Sequence, residues 1–272
     1  MDSKILIITV NYGSPDMTLQ LLKSLPSDNN LCIWVEDNQS SENSKRILSN
    51  AQGKTDQNIS LYFHNNNWFY WGAFYQAYQR LISSENPFPK WIVICNNDII
   101  FDGNFLNELE KIDSQSCHIL APAIVSHTTK KNLNPFFQTP LSFIDKAYYR
   151  LLYFHPMFGR VIQMFGKKLN QGIKKISPLL KYPNTIYAPH GACIIFSPEF
   201  FKKGGYIDTG FKMFGEELST AEIAKKIGAK IYYQPQLKVT HNDHFSTNNL
   251  SWDQLYSISK ETYFYLKNRY QF

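Results

Sequence analysis

The sequence predicts an α/β fold built on a mostly parallel central sheet, and three observations carry that prediction. Ile5-Leu-Ile-Ile-Thr-Val10 and Trp91-Ile-Val-Ile-Cys95 are unbroken apolar runs, as expected of strands buried on both faces. Strand-like and helix-like segments alternate through the first hundred residues, the pattern of βαβ units. Polar residues follow two strands without a spacer, as Glu36-Asp37-Asn38 and as Asn96-Asn97-Asp98. In an open α/β sheet, ligands bind just beyond the carboxyl ends of the strands.

The elements follow in order. After the first strand, Asn11-Tyr-Gly-Ser-Pro15 is a loop, and Met17 to Leu25 has helical spacing with Leu21, Leu22 and Leu25 on one side. Leu31 to Val35 is the second strand. Ser40 or Ser41 then caps a short helix reaching Leu48. Ile59 to Phe63 is the third strand, Gly72 to Ile82 a helix, and Trp91 to Cys95 the fourth strand. In the second half Ile119 to Val125 is a strand, and Ile186 to Phe196 is a strand pair or a bend around His190-Gly191. Glu216-Glu217 opens a helix with Leu218, Ala221, Ala224 and Ile227 on one face, ending at Gly228. Lys230 to Tyr233 and Leu237 to His241 read as two short strands, and Trp252 to Phe272 as a helical tail.

With 272 residues and 43% apolar composition, the chain can bury one sizeable core with an appended subdomain. Cys32, Cys95, Cys117 and Cys193 show no CxxC pairing, which predicts reduced thiols and a cytoplasmic setting. Met-Asp-Ser-Lys leads directly into a strand, which predicts no secretory leader. No apolar run approaches the roughly 18 residues that span a bilayer. The net charge of +6 is local: residues 130–181 hold ten lysines and arginines against Asp145 alone. Apolar residues interleave with those charges. Phe143, Ile144, Tyr148, Leu151 and Leu152 form one stripe, and Phe158, Val161, Ile162 and Phe165 another, with Pro156 as a break. That layout suits a helix pair in a membrane interface, or an insertion packed on the domain or on another subunit. No nucleic-acid reader motif accompanies the basic cluster, and no nucleic-acid partner is expected.

Asp98, at the end of a buried strand, can hold a hard cation that in turn carries a diphosphate; a simple polar turn is the other reading. The wider order of motifs decides between them. Asn11 follows the first strand, then come Asp37-Asn38-x-Ser40, Asn66-Asn67, Asn97-Asp98, His190-Gly191-Ala192, Gly204-Gly205-Tyr206-Ile207-Asp208 and Gly215-Glu216-Glu217, with His241 before Ser246-Thr247. This series resembles the family-2 inverting glycosyltransferases of GT-A fold, in particular bacterial enzymes building capsule, O-antigen or other surface polysaccharides. The resemblance covers about residues 4–127 and 184–247. Three departures stand out: Asp98 has no acidic neighbour, Trp68-Phe69-Tyr70-Trp71 replaces a small, Gly-rich stretch, and Glu217 stands where the family has Asp. The Gln-x-x-Arg-Trp signature of processive synthases is absent, which implies transfer of a single sugar.

The resemblance implies roles for particular residues. Thr9, Asn11, Asp37, Asn67, Asn97 and Asp98 would line the donor site, with Asp37 accepting the imide N–H of uracil or thymine. The donor would then be a UDP- or dTDP-sugar. Asp98 and His241 would bind Mg²⁺ or Mn²⁺, with His244 a substitute for His241. Glu217 would be the catalytic base and Glu216 its partner or replacement. His190 and Gly191 would line the acceptor side, and Asp208 would hold the Gly204-Gly205 turn. The acceptor would be a glycan, lipid-linked and met at the inner face of the cell membrane through 130–181. Residues 1–127 would form the nucleotide-sugar half, 128–183 a basic amphipathic insertion, 184–247 the acceptor and catalytic half, and 248–272 a C-terminal helical tail. Two competing readings remain: a sugar-1-phosphate nucleotidyltransferase, which lacks its Gly-rich basic loop at Asn11–Pro15, and a non-catalytic scaffold derived from a transferase.

Overall fold

The computed structural model describes residues 4–85, 87–162, 183–242 and 250–271. A single sheet runs through it in the order β3-β2-β1-β4-β8-β6-β9-β5, with β7 pairing on β9. The strands are β1 (Ile5–Asn11), β2 (Leu31–Asn38), β3 (Ile59–His64), β4 (Trp91–Asn96), β5 (Ile99–Phe101), β6 (Ile119–Ser126), β7 (Asn184–Ile186), β8 (Cys193–Phe196) and β9 (Ile231–His241). The first four are parallel to one another. Beyond them β8 lies antiparallel to β4 and β6, and β6 and β9 are parallel. The sheet is therefore parallel across its first four strands, as expected, and mixed beyond them.

Alternation along β1 explains the layering. Ile5 and Ile7 point into one apolar layer and Leu6 and Ile8 into the other. The first layer is closed by α1 (Pro15–Lys23), α2 (Glu42–Gln52) and α4 (Phe105–Glu110) through Leu21, Leu22, Leu48 and Phe105. The second is closed by α3 (Phe69–Ile82), α7 (Pro198–Lys202), α8 (Glu216–Lys226) and α9 (Trp252–Tyr270) through Phe74, Phe200, Ala221 and Leu266. Two further helices, α5 (Phe143–Leu152) and α6 (156–162), occupy the segment read as an insertion. A capping box starts α5, in which Ser142 and Asp145 satisfy each other's backbone N–H groups. Another, Ser251 with Gln254, starts α9.

Several local expectations resolve. Of the two serines proposed to cap α2, Ser41 does so by accepting from Ser44 N, while Ser40 Oγ accepts from Gly13 N at 2.9 Å. The two strands read at 230–233 and 237–241 are one strand with a register slip opposite Pro122 and Ala123. Pro235 cannot donate to the ladder, and the chain bulges around it instead of ending. Among the described residues no helix is long and apolar enough to cross a membrane. Phe165, the lysines from 167 to 181, His244 and Ser246-Thr247 lie outside the described residues.

The carboxyl ends of β1, β2 and β4 are tied by one buried side chain. Asn11 Nδ2 donates to Asp37 Oδ2 at 2.6 Å and to Ser40 Oγ at 3.1 Å. Asn11 Oδ1 accepts from Thr18 Oγ1 at 2.9 Å and from Asn97 Nδ2 at 3.3 Å. Replacing Asn11 by Ala would leave a buried carboxylate oxygen without this donor. The expected loss is about 3 kcal/mol, the upper end for a stranded buried polar group. It should appear as a lower urea midpoint with an unchanged slope.

Candidate active site

The site is assembled where β4 ends. Asn97 and Asp98 form the turn between β4 and β5, and β5 then pairs with β9 so that Ile99 faces His241. That register, together with the Asn242 N to Asp98 O hydrogen bond of 3.0 Å, brings Asp98 and His241 together. Asp98 Oδ1 lies 3.1 Å from His241 Nε2. The same Oδ1 is buried and accepts no hydrogen bond among the described residues. Such an oxygen, next to an imidazole nitrogen, suits a divalent cation whose remaining positions are filled by phosphate oxygens and water. Among the described residues there is no cluster of three or more His, Cys, Asp or Glu able to hold a metal by itself.

His190 connects this pair to the glutamates. Its ring lies edge-on to that of His241, with centroids 6.2 Å apart. Its backbone N–H donates to Asn134 Oδ1 at 2.7 Å, and its Nδ1 accepts from Ala192 N at 3.1 Å. A neutral His190 therefore carries its proton on Nε2. The next residue, Gly191, donates its N–H to Glu217 Oε1 at 3.2 Å, and its carbonyl accepts from Tyr70 Oη at 2.9 Å. A Cβ at Gly191 would lie 2.6 Å from Glu216 Cγ and 2.9 Å from Oε1 of each glutamate. Only glycine admits both carboxylates here.

Glu216 and Glu217 occupy the first turn of α8, where the helix dipole favours anions. Burial wins over that effect. It pushes both carboxyls above the usual range, Glu217 furthest because the Glu216 charge adds to its desolvation. The two titrate as a pair that keeps a proton where isolated carboxylates are ionised.

The donor-side candidates are placed differently from one another. Thr9 is fully buried within β1 against Cys95. Asn11 and Asp37 are fully buried and bonded to each other, and Asp37 Oδ1 also accepts from Ser40 N at 3.0 Å. Asn97 points to the α1 side, donating to Thr18 Oγ1 at 3.1 Å. Asn67 Oδ1 accepts from Phe69 N at 2.8 Å, and Asn38 Nδ2 donates to Phe69 O at 2.8 Å. These two asparagines hold Phe69 in a left-handed backbone conformation with φ of 56°, where small residues are usual.

Side chains that the motif reading did not single out complete the site. Tyr70 anchors the Gly191 loop, and Asn134 ties that loop to β6 by donating to Pro122 O at 2.8 Å. A cavity of about 190 Å³ opens beside Glu217, walled by Phe136, Tyr149, Tyr153, Phe214 and Tyr263 among others. Tyr149 comes from α5, Tyr153 from its C-cap and Tyr263 from α9, and their rings pack 5.0 to 6.4 Å apart. Only the apolar spacing of α5 and the aromatic density of the tail hinted at this wall. Asp208, expected to hold a turn, accepts from Gly210 N and from the hydroxyls of Tyr265 and Tyr270, fixing the end of α9.

The raised glutamate pair sets a stability test. A carboxyl whose folded pKa exceeds its unfolded value favours the fold most when protonated, below about pH 4. That contribution is lost as pH rises through the folded pKa. Glu217→Gln keeps an acceptor for Gly191 N but cannot ionise. Its melting temperature should match the parent near pH 4 and exceed it increasingly toward pH 8, as read by scanning calorimetry.

The chain matches the family model described as Glycosyl transferase family 2 over residues 5–205. No curated protein matches it. Solved structures resemble it at low identity. GalNAc-T7, crystallised with UDP, GalNAc and Mn²⁺, has a TM-score of 0.60 and 14% identity over 97% of this chain and 48% of its own. TarS from S. aureus has a TM-score of 0.57 and 12% identity over 97% of this chain and 40% of its own. The mannosyltransferase PcManGT from Pyrobaculum calidifontis, with GDP-Man and Mn²⁺, has a TM-score of 0.54 and 13% identity over 89% of this chain and 58% of its own. The chain thus spans about half the length of these proteins, and the likeness is one of fold: a mixed α/β sheet flanked by helices, as in GT-A glycosyltransferases. The family match covers most of the chain and runs through the strand-end aspartate and the His190 loop, and on that ground the chain belongs to glycosyl transferase family 2.

Proposed function

We propose that the protein is an inverting transferase that moves one sugar from a UDP- or dTDP-sugar to a glycan acceptor in surface polysaccharide synthesis. We place the reaction at the inner face of the cell membrane, on a lipid-linked glycan of the capsule or O-antigen type. The observation that carries this reading is the convergence of Glu216 and Glu217 on Gly191, one residue from a histidine that touches the Asp98–His241 pair. On this reading a base and a diphosphate anchor lie on the two sides of one loop.

Asp98 and His241 Nε2 would hold Mg²⁺ or Mn²⁺; when bound, the cation offsets negative charge on the departing diphosphate. Inversion is a single in-line displacement. The acceptor oxygen forms its bond to the anomeric carbon as the bond to the nucleotide breaks on the opposite face, and the hydroxyl proton passes to Glu217. Positioned base catalysis of this kind is worth about 10²–10⁴-fold. Gly191 N–H aims the carboxylate at 3.2 Å, and Glu216, sharing the site, sets when it ionises. The tyrosine-walled cavity beside Glu217 offers flat apolar faces and hydroxyl edges, which suits the C–H face and the rim of an acceptor sugar. Asp37 would read the imide N–H of uracil or thymine through lone pairs that Asn11 and Ser40 leave over.

Two measurements test the reading. Calorimetric titration with UDP, dTDP and GDP, with and without Mn²⁺, should show cation-dependent binding of UDP or dTDP and none of GDP. Binding of GDP as tight as UDP would make Asp37 a purely structural residue, and no binding of any nucleotide would favour a non-catalytic protein. With a competent donor, Glu217→Gln should lower kcat by about 10²–10⁴-fold with donor affinity unchanged. The acid limb of the parent's kcat/KM profile should lie above the ordinary carboxylate range, because the base ionises late. Full turnover in Glu217→Gln would remove it from the mechanism.

A further inference from the structure

The helices α5 and α6 are apolar on two sides, and only one side is covered. Tyr149 and Leu152 of α5 and Tyr153 at its C-cap pack toward α9, where Tyr256 Oη donates to Leu152 O at 3.1 Å. On α6, Gly159 lets the helix close on Tyr256, since a Cβ there would lie 2.4 Å from that ring. Arg160 sits over the Trp252 ring and pairs with Asp253 at 2.8 Å. Both helices therefore lean on α9. The residues turned away from it are large, apolar and open to solvent: Phe143 is 85% exposed, Ile144 78%, Phe154 72% and Met157 71%, with Leu151 and Phe158 about half exposed. Isolated exposed hydrophobes are ordinary, but a run of this kind on two successive helices marks an interaction surface.

We propose that this outer face of α5 and α6 docks on an anionic lipid bilayer, and that the docked helix pair is at the same time the wall of the acceptor cavity. The surrounding charge selects that occupant. Lys130, Lys131, Lys146 and Arg150 stand in the stretch of sequence that carries the face, and its one acid, Asp145, is spent in the α5 capping box. The sequence that follows α6, residues 163–182, adds five lysines and no acid. Amphipathic helices with apolar residues on one side and basic residues beside them seat at the headgroup boundary and gain from negative surface charge. A second copy of this chain on the same face would bring like charges together. The coupling to the site is geometric: Tyr149 on the inner side of α5 and Tyr153 at its C-cap line the cavity beside Glu217, one helix thickness from the exposed side. A lipid-linked glycan would then be presented to Glu217 by the element that holds the protein to the membrane. The acceptor part of this inference rests on the transferase reading above; the lipid part does not.

The experiment is vesicle flotation of the full chain, using phosphatidylcholine vesicles and vesicles of equal parts phosphatidylcholine and phosphatidylglycerol. The protein should float with the anionic vesicles, stay behind with the neutral ones, and be released by high salt. The double variant Ile144→Asp with Phe154→Asp changes two exposed side chains outside the cavity. It should keep the parent's circular dichroism and melting temperature, bind anionic vesicles at least tenfold more weakly, and retain transfer to a soluble acceptor. Equal flotation with both lipids, or equal binding by parent and variant, would overturn the proposal. So would a concentration-dependent dimer in analytical ultracentrifugation that the double variant abolishes, since a second copy would then cover the face. Nucleotide binding and soluble transfer are read without vesicles, so loss of flotation with those intact refutes the membrane inference alone, and the converse refutes the transferase reading alone.

Discussion

The geometry of the candidate active site depends on the absence of one side chain. At Gly191 the backbone runs so close to the start of α8 that two carboxylates reach the space a Cβ would fill. This approach does three things at once. It gives Glu217 a fixed N–H donor that partly offsets the burial raising its pKa, it sets Glu216 and Glu217 side by side so that the charge of one adds to the desolvation of the other, and it links them through His190 to the Asp98–His241 pair. A buried like-charge pair is costly, and functional sites are where such a cost is usually retained. The surrounding structure is built to hold the loop still: Tyr70 bonds its carbonyl, Asn134 bonds the His190 N–H, and β8 continues from it into the centre of the sheet.

The parallel half of the fold was legible because its signals are local and unambiguous. Continuous apolar runs at Ile5–Val10 and Trp91–Cys95 can only be strands with both faces covered, and the alternation between them fixes the βαβ units. Polar residues at the strand ends pointed to the same edge that the structure builds from Asn11, Asp37 and Asp98. What the sequence could not show was how much of the hydrogen-bonding capacity at that edge the fold itself uses. Asn11, Asp37 and Asn97 look alike as motif residues, yet they bond mainly to one another and to Thr18 and Ser40. Asp98 keeps a buried oxygen without such a bond. The Asn11–Asp37 and Asn97–Thr18 bonds span 26 and 79 residues of sequence, and such partner choice is a tertiary fact that no local pattern encodes.

The later half was read less well, for reasons that are equally physical. The three-residue strand β5 is too short for periodicity to mark, and its register against β9 is what delivers His241 to Asp98. Pro235 looked like a boundary because proline breaks ladders, but a bulge absorbs it and β9 continues. The Trp68–Trp71 run, unusual beside the family pattern, divides by residue. Trp71 is core, edge-on to Phe74 at 5.3 Å, Tyr70 holds the Gly191 loop, and Phe69 takes the left-handed turn that Asn38 and Asn67 stabilise. A composition-level reading sees four bulky aromatics; only the fold shows that they carry three different tasks.

The two sides of the site are anchored with unequal strength. The proposed donor edge sits at the ends of β1, β2 and β4, backed by two apolar layers and cross-linked by buried hydrogen bonds. The proposed acceptor wall is contributed by α5 and α9, which lie outside the sheet. It is held by tyrosine packing, by hydrogen bonds that include Tyr256 to Leu152, and by an exposed Arg160–Asp253 pair that is worth little in water. Stability within a fold is uneven, and elements with few buried contacts open first. Local opening of this molecule should therefore begin at α5 and α6 and leave the Asp98 edge in place. That arrangement suits an enzyme that must hold a small charged donor in one geometry while admitting a bulky acceptor. It also explains why the aromatic wall is made of tyrosines: large flat side chains pack well at low entropic cost and still present a hydroxyl where the wall meets solvent or sugar.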